Sequence, residues 1–298
     1  MRTLGIDLGG TKTALAVVDE AGYVLARSKR PSHEAGRALA FDALGRWVGE
    51  TLRLAGLSWT DIGGVGVIVP GIYDPRTGRA WAPNLWGKDE VPLREALAPL
   101  VEAPVTIDSD RSGYVLGEQW LGAARGARDA VFLAVGTGIG AGILADGRLL
   151  RGADGIAGAV GWLAIDPRWQ PLYGEVGCFE AEAAGPALAR RGRASTAEAV
   201  VEAARSGDPT ALHAVAESVE ALAMGIAGLI SVLNPEVVVL GGGVMQSRDL
   251  FLEPIRAAVA RWAQPFAVRQ CRIEPTALGE DAGVLGAARL AFPEPLTT

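Results

Sequence analysis

Residues 4–19 read LGIDLGGTKTALAVVD, and residues 131–146 repeat the pattern as VFLAVGTGIGAGILAD. Aligned without gaps, Gly9 falls on Gly136, Ala14 on Ala141 and Asp19 on Asp146. Each stretch is an apolar strand, a glycine/threonine turn, a second apolar strand and a closing glycine turn. Glycines in such a turn remove side chains, so backbone N–H groups can approach an anion closely. Two of these hairpins predict two facing lobes that grip a polyphosphate, which suits a phosphotransferase.

A dinucleotide fingerprint is the competing reading of the second hairpin. Gly136, Gly138 and Ala141 fit G-x-G-x-x-[GA], but that motif needs a helix to open at its second glycine. Residues 143–149 read instead as a strand and a tight turn. No acidic ribose partner follows at the end of a second parallel strand. A dehydrogenase is therefore excluded.

Composition narrows the class further. At 298 residues the chain has room for two domains, each with its own core. With 49% hydrophobic and 21% charged residues it reads as a soluble globular enzyme. A net charge of −6 offers no electrostatic grip on nucleic acid or an anionic membrane. No apolar run is read as reaching the ~20 residues of a membrane span, and no signal peptide precedes the first strand. Two cysteines, Cys178 and Cys271, make no disulfide framework, so a cytoplasmic location is expected. His33 and His213 complete the soft donors, in no zinc spacing. Only Lys12, Lys29 and Lys88 among the 28 basic residues are lysines, which makes Lys12 inside the first turn notable.

Along the chain, strands are expected at 2–7, 22–27, 64–69, 105–107 and 237–240, the last a continuous apolar run suited to burial. Helices are expected at 34–54, with Leu39 among its apolar positions, and at 92–100, 112–121, 179–190, 195–205 and 209–233. Others start near 250 and 280. The long irregular stretch 152–177 is rich in Gly, Pro and Trp, and such a loop inside a compact domain is usually functional. Residues 1–110 are assigned to an N-terminal α/β domain joined by the C-terminal helix 280–292, and residues 111–279 to a larger C-terminal α/β domain.

The motifs in this order resemble the ROK family of bacterial sugar kinases and related repressors, within the actin-like ATPase superfamily. Residues 7–13 (DLGGTKT) look like its first phosphate motif and residues 136–140 (GTGIG) its second. Residues 240–244 (LGGGV) resemble the adenosine motif. Residues 69–71, 74–78 and 82–85 resemble the sugar-side segment. Residues 117–126 and 279–283 match as well.

The resemblance implies an α/β fold of two ribonuclease-H-like domains with an ATP and sugar cleft between them. It implies that Gly9, Gly10, Thr11 and Lys12, and opposite them Gly136, Thr137 and Gly138, face the ATP phosphates. Gly241, Gly242 and Gly243 would lie against adenosine. Asp7 would orient Mg²⁺ through water; an acid ending a buried strand is costly without a cation nearby. Counting back from Gly117-Glu118, Asp110 takes the place of the catalytic aspartate, with Asp108 its rival. Gly71, Asn84, Ser109, Asp110, Trp162 and Glu180 are the expected sugar contacts. A small-molecule sugar and a second copy of the chain, as a homodimer, are the expected partners.

Departures fall on the sugar side. The family's Asn-Asp is Ser109-Asp110 here, its Ala-Gly-Glu is Ala157-Gly158-Ala159, and its Gly-His is Gly161-Trp162. Trp162, Pro171 and Tyr173 stand where the family has zinc ligands, leaving Cys178 alone, so no zinc is expected. Burial of Trp162, Trp169, Tyr173 and Phe179 is expected to hold the loop instead. Glucokinase is the default activity, and the changed pocket leaves a non-glucose hexose or a sugar-binding module with vestigial catalysis as alternatives. A DNA-binding repressor is disfavoured, because Asp7 arrives too early for a winged helix to precede it.

Overall fold

In the computed structural model, which describes residues 1–32 and 41–293, both hairpins form. In the first unit, β1 (Arg2–Leu8) pairs antiparallel with β2 (Lys12–Asp19), and β2 with β3 (Val24–Pro31). β4 (Gly64–Val69) and β8 (Val105–Ser109) add in parallel, giving the order β3-β2-β1-β4-β8. Alternation along the strands splits the sheet's two faces. Leu4, Ile6, Leu8, Leu15, Val17, Val65, Val67 and Val69 pack with Leu44, Trp47 and Val48 of α1 (Phe41–Leu54). Expected helical residues 34–40, and His33, lie outside the described residues.

The opposite face is flatter. α4 (Asp110–Leu121) and the chain's last helix, α12 (Ala282–Leu290), pack on each other, and α12 packs against β1 and β4. Close approach needs glycine: a Cβ at Gly66 would run into the carbonyl of Ala287, and one at Gly5 into that of Val284. The Thr3 hydroxyl donates to the Ala288 carbonyl at 3.0 Å. A small antiparallel sheet of β5 (Ile72–Asp74), β6 (Arg79–Trp81) and β7 (Glu90–Val91), with α2 (Pro83–Trp86) and α3 (Leu93–Leu97), forms from the segment expected on the sugar side.

The second unit repeats the plan. Its sheet runs β11-β10-β9-β12-β13, from β9 (Ala130–Val135), β10 (Ile139–Ala145), β11 (Arg148–Leu149), β12 (Val237–Gly241) and β13 (Arg272–Pro275). Helices α5 (Tyr173–Val176), α6 (Cys178–Ala183), α7 (Gly185–Arg191), α8 (Ala197–Arg205), α9 (Pro209–Leu233), α10 (Arg248–Trp262) and α11 (Pro265–Gln270) surround it. One helix was expected over 179–190; the chain breaks at Ala184, ahead of Gly185-Pro186, and Pro186 fits the first turn of a new helix.

Helix α9 corrects the reading that no apolar run is long enough to span a membrane. By length and composition its 25 residues suffice. Its start is capped by the Asp208 side chain, which accepts from Ala211 N–H at 2.8 Å, and it ends at left-handed Asn234. Leu222, Ala223, Ile226 and Ile230 are buried with Phe179, Phe251 and Ile255, the placement of a core helix.

The division between units also differs from the expected 110/111 boundary. The first unit comprises residues 1–125, 152–156 and 280–298, and the second 126–151 and 157–279. Helix α4 therefore sits with the first unit, because its partner α12 does.

Candidate active site

Strand pairing sets Lys29, Ala14, Asp7, Ile68 and Asp108 in one row across all five strands of the first sheet. Directly paired residues share a face, here the one that α12 and α4 cover. Asp7 lies against Gly283, where its carboxylate leaves no space for a Cβ, with the Tyr114 ring 3.0 Å from the same point. Burial is the main cause that pushes the Asp7 carboxyl up to about 7; Asp110 adds to it and Lys29 opposes it.

The two rival aspartates part at the start of α4. Asp108 is 8% exposed, and its Oδ1 accepts the Ser109 N–H at 2.7 Å and the Ser112 hydroxyl at 2.9 Å. The helix begins at Asp110, two residues before its expected start, with Ser109 as the extended residue ahead of it. Asp110 Oδ1 accepts the Arg111 N–H at 2.8 Å and the Ser109 hydroxyl at 3.2 Å. Burial raises its pKa to about 6, and the Arg111 guanidinium partly offsets this. Ser109 is buried, and its hydroxyl also accepts Arg111 Nε–H at 3.1 Å, so it links Arg111 to Asp110.

The first glycine turn is braced from one side and open on another. Ser32 ties it down: its N–H donates to the Thr11 carbonyl at 2.9 Å and its hydroxyl to the Gly9 carbonyl at 2.5 Å. A Cβ at Gly10 would stand 2.9 Å from that of Asn84, so the expected phosphate and sugar segments meet here. Gly71 turns back on itself, its N–H donating to the Val69 carbonyl at 2.9 Å, and backbone of Trp81 fills the space a side chain would need. Thr11 and Lys12 are exposed, and Lys12 Nζ lies 3.6 Å from Glu280.

In the second unit, the Gly136 carbonyl accepts the N–H of Gly185, at the start of α7, at 2.7 Å. Gly243 approaches Gly136, its nitrogen 3.9 Å from where a Cβ at Gly136 would be, so the second phosphate turn and the triple glycine meet. Gly242 has φ +91° and packs on the Val135 backbone, while Phe132 lies against Gly241. Thr137 is exposed. Glu180, expected on the sugar side, accepts the Ile139 N–H at 2.7 Å and crowds both Gly138 and Gly161. It is fixed to the phosphate turn, and burial pushes its carboxyl up.

The loop 157–178 departs from expectation. Trp162 and Trp169 are 59% and 72% exposed, so they do not hold it by burial. Tyr173 and Phe179 do: Phe179 is fully buried against Gly225, and Tyr173 packs with Cys178 and Ala181. The Tyr173 hydroxyl donates to Glu182 at 2.7 Å, and Glu182 pairs with Arg191, both largely buried. Trp162, Pro171, Tyr173 and Cys178 do not make a zinc set, and no cluster of three or more metal-ligating side chains is present among the described residues.

Three residues near the carboxylates escaped the sequence reading: Arg111, Tyr114 and Lys29. Tyr114 stands one helical turn after Asp110, a spacing that could have flagged it, and burial with Asp110 and Asp7 raises its pKa. Lys29 left no local signal, since only strand register brings it near Asp7.

Comparison with known proteins agrees with this architecture. Residues 3–294 match the model of the ROK family. The chain is 34% identical to a glucokinase from Thermotoga maritima, over 97% of each chain. Its fold is similar to that of a ROK hexokinase from Thermus thermophilus, with TM-score 0.83 and 33% identity over 98% of both chains. A ROK family glucokinase from Streptomyces griseus, solved with glucose and AMPPNP, gives TM-score 0.76 at 28% identity, over 98% of this chain and 99% of that one. The paired α/β units with their glycine turns are those of an actin-like ATPase fold. Within that class, the chain belongs to the ROK family. It is a sugar kinase, a phosphotransferase with an alcohol acceptor.

Proposed function

We propose that the chain transfers the γ-phosphate of ATP to a hexose hydroxyl, the 6-hydroxyl first among them, with Asp110 as general base. The observation that carries this reading is the Asp7–Asp110 pair, one carboxylate in the first sheet and one at the first residue of α4, coupled through their charges, with pKa values pushed to about 7 and 6. Such values are the mark of groups burial has prepared for a proton or a cation. A group near 6 is ionised at neutral pH yet basic enough to accept a hydroxyl proton.

The remaining roles fall to the glycine turns and the residues around them. Gly9, Gly10, Thr11 and Lys12 offer backbone N–H groups and one ammonium to the phosphates, and Gly136, Thr137 and Gly138 offer a second set. Gly241, Gly242 and Gly243 lack side chains where a nucleoside would lie flat. Asn84, Gly71 and exposed Trp162 are the sugar contacts, and Glu180 positions the second turn. The Ser109 hydroxyl and the Arg111 backbone N–H hold the Asp110 carboxylate at Oδ1, and the Arg111 guanidinium in turn donates to the Ser109 hydroxyl.

Asp7 fits a divalent cation: it is buried enough to resist ionisation alone, and Asp110 adds a second negative charge beside it. With no cluster of three or more metal-ligating side chains among the described residues, the ion's shell would be completed by water and phosphate oxygens, the preference of Mg²⁺. Bound there, Mg²⁺ supplies neutralisation of charge on the transferring phosphoryl group.

Glucose is the first acceptor to try, because two of the three proteins named above are glucokinases. Ala159 and Trp162 leave room for a different hexose. Use of ATP and a sugar is cytoplasmic work, as a homodimer without nucleic acid. A coupled assay of ADP release over glucose, mannose, fructose, allose, glucosamine and N-acetylhexosamines tests it. Turnover with at least one is expected; ATP binding without turnover on any sugar overturns the reading.

A further inference from the structure

The row Lys29–Ala14–Asp7 runs across three adjacent strands, with the smallest side chain in the middle. A large residue at position 14 would wall Lys29 off from Asp7; Ala14 leaves a lane for its long stem. One row away, Arg27 pairs across Ala16 and Gly5 on the same face. Both basic residues reach the entry to α12, but to different partners. Arg27 binds Asp281 at 3.1 Å, whereas Lys29 hydrogen-bonds Glu280, which also receives Lys12 at 3.6 Å.

The sharing of one carboxylate sets the Lys29 pair apart from the Arg27–Asp281 tie, and its exposure lets it exchange. One carboxylate shared by two ammonium groups leaves positive charge over, beside a turn already built to present N–H groups to an anion. All three side chains are also well exposed, and exposed ion pairs are weak and readily exchanged. The choice of residue agrees. Among the described residues most ion pairs come from arginine, yet two of the chain's three lysines converge here. An ammonium is a compact charge with three rotatable donors, able to follow several phosphoryl oxygens as they move, where a guanidinium is a rigid fork.

From this geometry we infer that Lys29 is a second phosphate-binding cation of the active site, resting on Glu280 when no nucleotide is bound and transferring to the terminal phosphates of the nucleoside triphosphate with Lys12. The inference deepens the kinase reading and rests on it. Lys29 acts by binding and charge neutralisation; it exchanges no proton and forms no covalent bond.

Calorimetry of ATP, ADP and AMP binding to the full-length protein tests it, with Lys29→Met, Lys29→Arg and Arg27→Met. Lys29→Met should bind ATP roughly 10- to 100-fold more weakly, the effect of losing one charge-assisted hydrogen bond. AMP and sugar affinities should hold, and Lys29→Arg should recover part of the loss. Arg27→Met removes the equivalent tie to α12 one row away and should bind ATP like the wild type. ATP affinity within twofold of wild type in Lys29→Met overturns the inference while leaving the kinase reading intact. An equal loss in Arg27→Met also overturns it, since the effect would then come from loosening α12. A wild-type protein that binds no ATP sinks the kinase reading and this inference together.

Discussion

Asp108 and Asp110 stand two residues apart, yet the start of α4 parts them: Asp108 Oδ1 accepts the Ser109 N–H and the Ser112 hydroxyl, whereas Asp110 Oδ1 accepts the Arg111 N–H and its charge bears on Asp7. Alternation along a strand would have pointed both carboxylates the same way. The strand ends at Ser109, so it does not apply to Asp110.

The pair is therefore separable by mutation. Asp110→Asn should fold normally and lose roughly 10²–10⁴ in kcat, the range for a lost general base. Asp108→Asn should keep most of its kcat but lose about 1–3 kcal/mol of stability, because a buried acceptor of two hydrogen bonds is weakened. Measuring kcat and the urea midpoint of both variants decides it. A larger kcat loss in Asp108→Asn would exchange their roles.

The pH profile follows from the same group. Asp110 must be ionised to accept a proton, and burial has moved its pKa from 3.8 to about 6. At saturating Mg²⁺, kcat/KM should be level above that value and fall about tenfold per unit well below it. A limb near pH 4 would mean that an unperturbed carboxylate is the base.

Much of this was legible in the sequence because glycine patterns report backbone geometry directly. The hairpins, β4 and α9 appear where residues 4–19, 64–69 and 209–233 put them. What stayed hidden depends on partners distant in sequence. Lys29 reaches Asp7 only through the register of three strands. Trp162 and Trp169 carry the composition of a buried cluster, yet the loop holds itself through Tyr173 and a carboxylate nine residues later. Helix α4 belongs with α12, more than 160 positions away in the chain, which moved the division between units.

Asp7 makes a prediction about stability without metal. Its carboxyl is raised from 3.8 to about 7 in the fold, so between those values the folded state holds a proton the unfolded chain has released. Stability from this group is present below pH 4 and is lost as pH rises toward 7. In Mg²⁺-free buffer, Asp7→Asn should gain in Tm relative to wild type steadily across that window. A difference independent of pH would contradict the burial assigned to Asp7.

The loop around Tyr173 should be indifferent to chelators, since Tyr173, Glu182 and Arg191 clip it at the place where the resemblance puts zinc ligands. Tyr173→Phe removes the hydroxyl from a largely buried carboxylate and should cost about 1–3 kcal/mol. Trp162→Ala should cost under about 0.5 kcal/mol, as expected of an exposed side chain. Thermal melts with and without chelator, alongside elemental analysis, test both. Stoichiometric zinc in the purified protein would refute the clip.

The same substitution should have opposite signs in two helices. Gly286 of α12 lies on the Gly113 backbone of α4, where a Cβ would run into the carbonyl. Backbone cannot step aside as a flexible side chain can, so Gly286→Ala must push the helices apart, at about 1–3 kcal/mol. Because α4 carries Asp110 at its first residue and α12 carries Glu280 and Gly283 at its entry, that displacement should lower kcat as well. Gly49 lies inside α1 with nothing within 4 Å of a Cβ. There Gly49→Ala removes only backbone freedom and should stabilise by about 0.5–1 kcal/mol with kcat unchanged. Urea midpoints and kcat for the two variants test the claim, and a Gly286→Ala protein as stable and active as wild type would show that α4 and α12 do not meet backbone to backbone.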